Sequence, residues 1–225
     1  MNNKNQYHLI LGDSLVELPK FADNAFNVAF TSPPYNRKRN DKYKFYDDTL
    51  DDYFEFLCTF TNQLLRICSK CVIVNLQPNY YQKSDVFRYI GKYSGIIQNI
   101  VVWEKSNPLP TNGMNITNAY ELFVILSENN IQSNFSYTKN HITTSAYGGM
   151  PNMHKAVMHP QVSDWFISRF VSKGESVIDP FMGTATTGVS CLKFGINFTG
   201  IEISKEYYNE SKKRLSEITN IKRLF

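Results

Sequence analysis

The C-terminal part of the chain contains the pattern that most restricts its fold. Residues 176–179 form a short apolar run that ends in a carboxylate, and a loop of small residues at 180–184 follows it. A helical segment at 185–194, a second apolar run at 197–202 and another helical segment at 205–218 complete the unit. Strands that alternate with helices predict an α/β fold, in which helices cover both faces of a mostly parallel sheet. Such a sheet binds ligands at the carboxyl ends of its strands.

The rest of the chain supplies further strands for the same sheet. Apolar runs predict strands at 7–11, 26–31, 72–76, 96–103 and 120–126. Apolar residues at helical spacing predict helices over 50–68 and 161–171. Residues 127–158 are polar and show no clear period, so we expect a loop-rich insertion there. The length of 225 residues fits one domain over 1–225 that carries this insertion.

Composition and charge exclude several classes of protein. Apolar residues make up 42% of the chain and charged residues 20%, which argues against a disordered protein. No apolar run approaches the roughly 20 residues of a membrane-spanning helix, and the first residues lack the apolar stretch of a secretory signal. We therefore expect no membrane association. The net charge of +4 does not by itself establish a polyanionic partner.

The cysteines and histidines do not predict a metal site. Four cysteines are too few for a disulfide scaffold, so a reducing cytoplasm is the expected compartment. Cys68 and Cys71 have C-x-x-C spacing, but no second pair accompanies them as in a zinc ribbon. The four histidines form no ligand motif either.

The first candidate site is the loop after the strand that ends in Asp179. Its sequence is Asp179, Pro180, Phe181, Met182, Gly183, Thr184, Ala185, Thr186 and Thr187. Small residues let backbone amides approach a ligand, and amides and hydroxyls at a helix start can hold an anionic group. The loop matches neither the dinucleotide fingerprint nor the P-loop. A plain strand-to-helix turn would have the same sequence character.

A second acid follows this loop at a meaningful distance. Glu202 ends the next predicted strand, 23 residues after Asp179. In nucleotide-binding sheets an acid about 20 residues after the loop accepts hydrogen bonds from ribose hydroxyls. A single glutamate at a strand end is usually solvated, but the combination with the loop favours ribose binding.

The second candidate site is the segment Thr31-Ser32-Pro33-Pro34-Tyr35, which ends another predicted strand. Prolines fix φ and carry no amide hydrogen, so this loop is stiff and presents carbonyl oxygens. Carbonyl groups and a serine hydroxyl suit an exocyclic amino group, which donates two hydrogen bonds. The Tyr35 ring offers a face on which a base can stack. A rigid proline turn without a ligand is the alternative.

A run of basic residues follows Tyr35. Its cations are Arg37, Lys38, Arg39, Lys42 and Lys44. Most such runs are solvated loops, but next to a base-sized pocket this one is better suited to bind DNA phosphates.

Together these motifs resemble those of the beta class of S-adenosylmethionine-dependent DNA amino-methyltransferases, which belong to bacterial restriction–modification systems. Ser32-Pro33-Pro34-Tyr35 is similar to the catalytic motif of the class, and the loop after Asp179 is similar to its cofactor loop. Their order, with the catalytic motif first, is the circularly permuted order of this class. Weaker matches are Gly12-Asp13-Ser14, Trp103-Glu104-Lys105, Tyr120-Glu121 and His159-Pro160-Gln161.

The resemblance implies a fold and a cofactor site. The fold is a Rossmann-like, seven-stranded sheet with one antiparallel hairpin at its edge. Strand 176–179 would be central, with 198–202 and 7–11 on one side and 26–31, 72–76 and the 96–126 pair on the other. Residues implied to bind S-adenosylmethionine are Asp13, Ser14, Thr31, His159, Asp179, Pro180, Phe181, Gly183, Thr184, Thr186 and Glu202. Asp179 and the loop would hold the methionine part, and Glu202 the ribose. Asp13 and Ser14 would lie near the adenine, and His159 near the methionine end.

The resemblance also implies a reaction on double-stranded DNA. A flipped base would stack on Tyr35 and donate its amino hydrogens to Ser32 and to the Pro33 carbonyl. Serine at the first motif position resembles N4-cytosine enzymes, so cytosine is favoured over N6-adenine. Residues 36–48 and 127–158 are the expected sequence-reading segments, and a homodimer or a companion restriction or methylation subunit would be a further partner.

Several alternatives stay open from the sequence. The cofactor loop has Ala185 where the family commonly has a second glycine. If that position needs a left-handed backbone, an alanine weakens cofactor binding, and the chain could be a non-catalytic DNA-binding or regulatory subunit. RNA and protein-glutamine methyltransferases use related motifs, but usually in the other order. The missing phosphate-binding fingerprint disfavours a nicotinamide oxidoreductase.

Overall fold

The structure is a computed structural model that describes residues 7–36, 49–79, 81–108, 116–146 and 157–222. The described strands are β1 (Tyr7–Leu11), β2 (Phe26–Thr31), β3 (Cys68–Leu76), β4 (Ile97–Lys105), β5 (Tyr120–Leu126), β6 (His141–Thr144), β7 (Ser176–Asp179) and β8 (Asn197–Glu202). The α-helices are α1 (Ser14–Glu17), α2 (Tyr53–Ile67), α3 (Lys83–Lys92), α4 (Pro160–Phe170), α5 (Thr186–Phe194) and α6 (Lys205–Lys222). Short 3₁₀ turns lie at Leu18–Lys20 and Ser94–Ile96.

The strands form one sheet in the order β1-β8-β7-β2-β3-β5-β4-β6. Only β5 runs antiparallel to its neighbours, β3 and β4, and the remaining pairs are parallel. The predicted α/β class and the predicted order of the first seven strands are confirmed. The expected strand number is wrong, because the described residues contain an eighth strand.

The additional strand is β6, within the segment predicted as a loop-rich insertion. Three of its four residues are polar, and only Ile142 and Thr144 are buried, so the alternation is too short to predict a strand. β6 pairs in parallel with β4, whose Val102 and Lys105 lie opposite His141 and Thr144. The antiparallel β4–β5 pair is therefore not at the edge of the sheet.

Alternating side chains place two hydrophobic clusters on the two faces of the sheet. Phe30, Ile73 and Phe123 point to one face, where they pack with α4 and α5. Val72 and Val124 point to the other face, where they pack with α2 and α3. The helix predicted over 50–68 is α2, whose amphipathic stripe buries Leu57, Phe60 and Leu64, among others. The sequence analysis did not predict α3.

The topology brings two distant parts of the chain to one edge of the sheet. The carboxyl ends of β2, β7 and β8 lie side by side, because these strands are parallel neighbours or next neighbours. The carboxyl end of β3 and the amino end of β5 lie at the same edge, because β5 is antiparallel. Every motif predicted to carry chemistry therefore ends at this edge.

Candidate functional site: two carboxylates and a Ser-Pro-Pro-Tyr loop

Asp179 ends β7 with a buried carboxylate that three hydrogen bonds fix. Thr31 Oγ1 donates to Oδ1 over 2.8 Å, Thr187 Oγ1 donates to Oδ2 over 2.7 Å, and the Phe181 amide donates to Oδ1 over 3.1 Å. Burial raises the pKa of Asp179 to about 6, although the three donors act in the opposite direction. The bond from Thr31 also ties the strand before the Ser-Pro-Pro-Tyr motif to the predicted cofactor loop.

Glu202 ends β8 and is the second buried carboxylate. Its Oε2 accepts from the Gly183 amide over 2.9 Å, and its Oε1 accepts from the Ser204 amide over 2.8 Å. Burial raises the pKa of Glu202 to about 7, and the nearby charge of Asp179 adds to the increase. Among the described residues, neither Asp179 nor Glu202 has an ion-pair partner.

The loop between β7 and α5 takes a left-handed backbone twice. Gly183 has φ of 53°, and Ala185 has φ of 58° and ψ of 44°. Position 185 thus takes the left-handed conformation that alanine resists by about 1–2 kcal/mol, and a weakening of cofactor binding by Ala185 stays a prediction.

Residues of α6 hold this loop from outside. Ser211 Oγ donates to the Gly183 carbonyl over 2.7 Å, and Arg214 donates to the Thr184 carbonyl over 2.9 Å. Arg214 also donates to Thr186 Oγ1 over 3.3 Å. Thr187 was predicted only as part of the cofactor loop, and Ser211 and Arg214 had no predicted role, because their contacts depend on how α5 and α6 pack.

The other predicted cofactor residues surround the same loop. Ser14, at the start of α1, donates its hydroxyl hydrogen to the Pro180 carbonyl. Exposed Asp13 caps α1 by accepting from the Leu15 amide over 2.8 Å. The neighbouring Gly12 amide donates to the Glu202 carbonyl over 3.0 Å, which joins the N-terminal strand to β8.

Two further predicted cofactor residues are Phe181, within the loop, and His159, at the start of α4. The Phe181 ring packs against Phe60 and Phe56 of α2, with ring centroids 5.1 Å and 5.6 Å away. His159 caps α4, and its Nδ1 accepts from the Gln161 amide over 3.2 Å. The structure thus gathers the loop residues, Asp13, Ser14, Thr31 and Glu202 at one edge of the sheet, and it places His159 at the start of α4.

The Ser-Pro-Pro-Tyr loop lies directly after β2. Pro33 and Tyr35 are buried, whereas Ser32 and Pro34 are half-buried. The Tyr35 hydroxyl points into the protein, where it lies 2.8 Å from Ser32 Oγ, 2.6 Å from Asn75 Oδ1 and 2.9 Å from Glu121 Oε2. Stacking of a base on the Tyr35 ring stays a prediction.

Glu121 belongs to a group of polar side chains at the ends of β3, β4 and β5. Its Oε1 forms a salt bridge with Lys105 and accepts from Gln77 Nε2 over 3.3 Å. Glu121 and Lys105 matched family segments in the sequence, but nothing there assigned them a role. Asn75 and Gln77 were visible only as polar residues at the end of an apolar run.

The loop that carries the basic run begins and ends beside Tyr35. Asn36 Nδ2 donates to the Leu50 carbonyl over 3.0 Å, and the Leu50 amide donates to Asn36 Oδ1 over 2.9 Å. The predicted DNA-binding residues Arg37, Lys38, Arg39, Lys42 and Lys44 lie outside the described residues, as does 147–156 of the predicted insertion.

The described part of the chain contains neither a metal-binding cluster of side chains nor a membrane-spanning helix. In these ranges no group of three or more histidine, cysteine, aspartate or glutamate side chains could hold a metal ion. No helix in the same ranges is both long enough and apolar enough to cross a membrane.

The donor set at this edge fits S-adenosylmethionine. Neither Asp179 nor Glu202 has an ion-pair partner in the described residues. The Asp179 carboxylate suits the positively charged methionine part, which Asp179 and the 180–187 loop would hold, and the Glu202 carboxylate suits the ribose hydroxyls, from which it would accept hydrogen bonds.

Known proteins resemble this chain in sequence over most of its length. The DNA methylase family N6_N4_Mtase matches residues 26–213. The type II methyltransferase M.HinfI of Haemophilus influenzae is 24% identical over 93% of this chain and 68% of its own length. M.MwoI of Methanothermobacter wolfeii is 27% identical over 94% of this chain, which spans about a third of that protein.

Two solved structures show the same fold. The cytosine-N4-specific PvuII DNA methyltransferase superposes with a TM-score of 0.77 at 17% identity, over 95% of this chain and 91% of its own. The complex of M1.HpyAVI with S-adenosylmethionine superposes with a TM-score of 0.64 at 20% identity, over 93% of this chain and 98% of its own. Together with the match of the family over most of the chain, these findings confirm the predicted resemblance. The chain belongs to the N6/N4 family of DNA methylases, which use S-adenosylmethionine as the methyl donor.

Proposed function

We propose that this methylase transfers a methyl group to the N4 amino group of a cytosine flipped out of double-stranded DNA. The observation that carries the proposal is the 2.8 Å hydrogen bond between Thr31 and Asp179. It joins the strand before Ser32 to the strand before the cofactor loop, which supports a target amino group and a methyl donor bound at adjacent strand ends. Base flipping would bring the target amino group to this place.

The catalytic problem is that the amino group of a base is a poor nucleophile, because its lone pair is delocalised into the ring. Bound S-adenosylmethionine supplies a methyl group on a cationic sulfur that already leaves easily. Ser32 Oγ and the Pro33 carbonyl would accept the two amino hydrogens, which draws the nitrogen towards tetrahedral geometry and localises its lone pair. The stiff proline loop holds both acceptors in place, so positioning provides most of the rate enhancement.

No covalent enzyme intermediate is needed for this reaction. The four cysteines are buried, and burial raises the pKa of the Cys68, Cys71 and Cys191 thiols, which disfavours nucleophilic thiolates. These properties support amino-group methylation over methylation of cytosine C5, which requires a cysteine nucleophile.

The choice of cytosine rests on Ser32 at the first position of the motif, where the resemblance associates serine with N4-cytosine enzymes. N6-adenine is the second candidate, because both bases present an amino group beside a ring nitrogen. The basic run from Arg37 to Lys44 would bind phosphates near the flipped base.

The test is nucleoside mass spectrometry on mixed-sequence duplex DNA incubated with the protein and S-adenosylmethionine. N4-methylcytosine is expected from the wild type, and it should be lost in Ser32→Ala. Ser69→Ala is the matched control, because its hydroxyl donates to the Phe26 carbonyl at the other end of the sheet.

The other outcomes discriminate among the alternatives. N6-methyladenine would contradict the assignment of the base and keep the mechanism. If no methylated nucleoside forms although the cofactor binds in calorimetry, the chain needs a companion subunit or acts as a non-catalytic DNA-binding subunit.

A further inference from the structure

A chain of hydrogen bonds leads from Ser32 to a buried carboxylate. Ser32 Oγ lies 2.8 Å from the Tyr35 hydroxyl, which lies 2.9 Å from Glu121 Oε2. Tyr35 is 9% exposed and Glu121 is 3% exposed, so water does not compete for the bond between these two side chains. The direction of this chain decides whether Ser32 acts as a donor or as an acceptor towards a ligand.

Glu121 sets the direction at the inner end. A carboxylate accepts hydrogen bonds and cannot donate them. Lys105 and Gln77 both approach Oε1, so Oε2 is the oxygen that faces the Tyr35 hydroxyl. Bonds to a charged acceptor are roughly twice as strong as bonds between neutral groups. Tyr35 therefore gives its single hydrogen to Glu121.

Asn75 fits this direction once its amide is turned by 180°. Its Oδ1 lies 2.6 Å from the Tyr35 hydroxyl and competes with Glu121 for the same hydrogen, while its buried Nδ2 has no partner among the described groups. Exchange of the two amide atoms makes Nδ2 a donor to the Tyr35 oxygen and removes the competition. The hydroxyl of Tyr35 then donates only to Glu121 and accepts from its other neighbours.

Ser32 is the neighbour whose role follows. With the hydrogen of Tyr35 committed to Glu121, the bond between the two hydroxyls requires Ser32 to donate and Tyr35 to accept. The lone pairs of Ser32 Oγ stay available for the amino group of a target base, which is a donor. We propose that Glu121 is a positioning residue that, through Tyr35, keeps Ser32 in the accepting state. This inference rests on the proposed amino-group methylation.

The experiment measures single-turnover methyl transfer for the wild type, Glu121→Gln, Tyr35→Phe and the double variant. A glutamine can donate to Tyr35, which releases the tyrosine hydrogen towards Ser32 and reverses the chain. Each single variant is expected to slow methyl transfer by about 10- to 100-fold, which corresponds to about 1.4–2.8 kcal/mol. S-adenosylmethionine Kd should stay within about twofold of the wild type, as expected for an effect on the transition state alone.

The double variant gives the sharper readout. Because both substitutions break the same series of hydrogen bonds from Ser32 to Glu121, the double variant should be no more than about threefold slower than the slower single variant. Glu104→Gln is the matched control, since Glu104 is an exposed glutamate on β4 that contacts His141 and Thr143. It should transfer methyl groups at the wild-type rate.

Three results would overturn the inference. The first is a rate of methyl transfer by Glu121→Gln equal to that of the wild type. The second is a fold-reduction of the rate in the double variant that equals the product of the fold-reductions in the two single variants. The third is a rate of methyl transfer by Tyr35→Phe equal to that of the wild type. This variant keeps the ring packing of Tyr35, so it still tests the inference if Glu121→Gln does not fold. A wild type that methylates no base is a distinguishable failure, because it concerns the proposed function and its need for a companion subunit, not the direction of the hydrogen bond.

Discussion

Replacement of Arg214 by alanine should weaken cofactor binding through the loop that Arg214 holds. Arg214 donates to the Thr184 carbonyl and to Thr186 Oγ1, on both sides of Ala185. Ala185 is in the left-handed region, with φ of 58°, at a cost of about 1–2 kcal/mol. Without Arg214, the loop can relax out of this conformation. Cofactor binding then has to supply the free energy that returns the loop to its left-handed form.

The size of the effect follows from that strain. A shift of 1–2 kcal/mol lowers the population of the binding-competent loop by a factor of about 5–30. The Kd for S-adenosylmethionine should rise by the same factor in Arg214→Ala. Isothermal titration calorimetry measures this change directly, and Lys213→Ala is the control because Lys213 is an exposed neighbour on the same helix.

A glycine at position 185 separates strain from a simple loss of contacts. In Ala185→Gly the left-handed conformation costs little, so adding Arg214→Ala should raise Kd by no more than about threefold. Affinity is the better readout than stability, because Ala185 is fully buried and loss of its methyl group costs about 0.8 kcal/mol, which offsets relief of the strain. An equal effect of Arg214→Ala in both backgrounds would refute the reasoning.

Three other predictions concern the carboxylates and the basic loop. In the cofactor-free protein, the raised pKa values of Asp179 and Glu202 should stabilise the folded state below about pH 4, where both groups are protonated. This part of the free energy of unfolding is lost as pH rises through about 6 and 7, by up to about 1.4 kcal/mol per pH unit for each group. A free energy of unfolding in urea that rose from pH 4 to pH 7 would contradict the raised pKa values. Calorimetry in two buffers should also detect proton release when the cationic cofactor binds near pH 6.5. Thr187→Val should cost about 1.5–3 kcal/mol at pH 8 and less at pH 4, because its hydroxyl bonds to a charged carboxylate only at the higher pH, whereas Thr61→Val, which loses a bond to a neutral tyrosine, should cost about 1 kcal/mol at both. Asn36→Ala should weaken DNA binding in fluorescence anisotropy and leave cofactor affinity unchanged, because it releases the base of the loop that carries the basic run, and unchanged DNA affinity would argue against a role of that loop.

The strand-and-helix pattern of the chain predicted most of the fold correctly, because buried parallel strands are continuous apolar runs. Val72–Leu76 illustrates this, since it is buried throughout and lies at the predicted place in the sheet. β6 was missed because four residues with two buried side chains show no period that distinguishes them from a loop. Its pairing with β4 comes from backbone hydrogen bonds that carry little sequence information.

The sequence by itself also determined the position and order of the two motifs, and with them the family and its cofactor. Loop chemistry is local: prolines, glycines, a carboxylate and hydroxyls at fixed offsets create the same backbone geometry wherever they occur. Pairs such as Thr31 with Asp179 and Tyr35 with Glu121 are different, because 148 and 86 positions separate them along the chain. Only the order and direction of the strands brought these side chains within hydrogen-bond distance. The tertiary structure therefore decided the strain at Ala185, the support from α6 and the contact of Tyr35 with both Ser32 and Glu121, since each depends on which elements pack together.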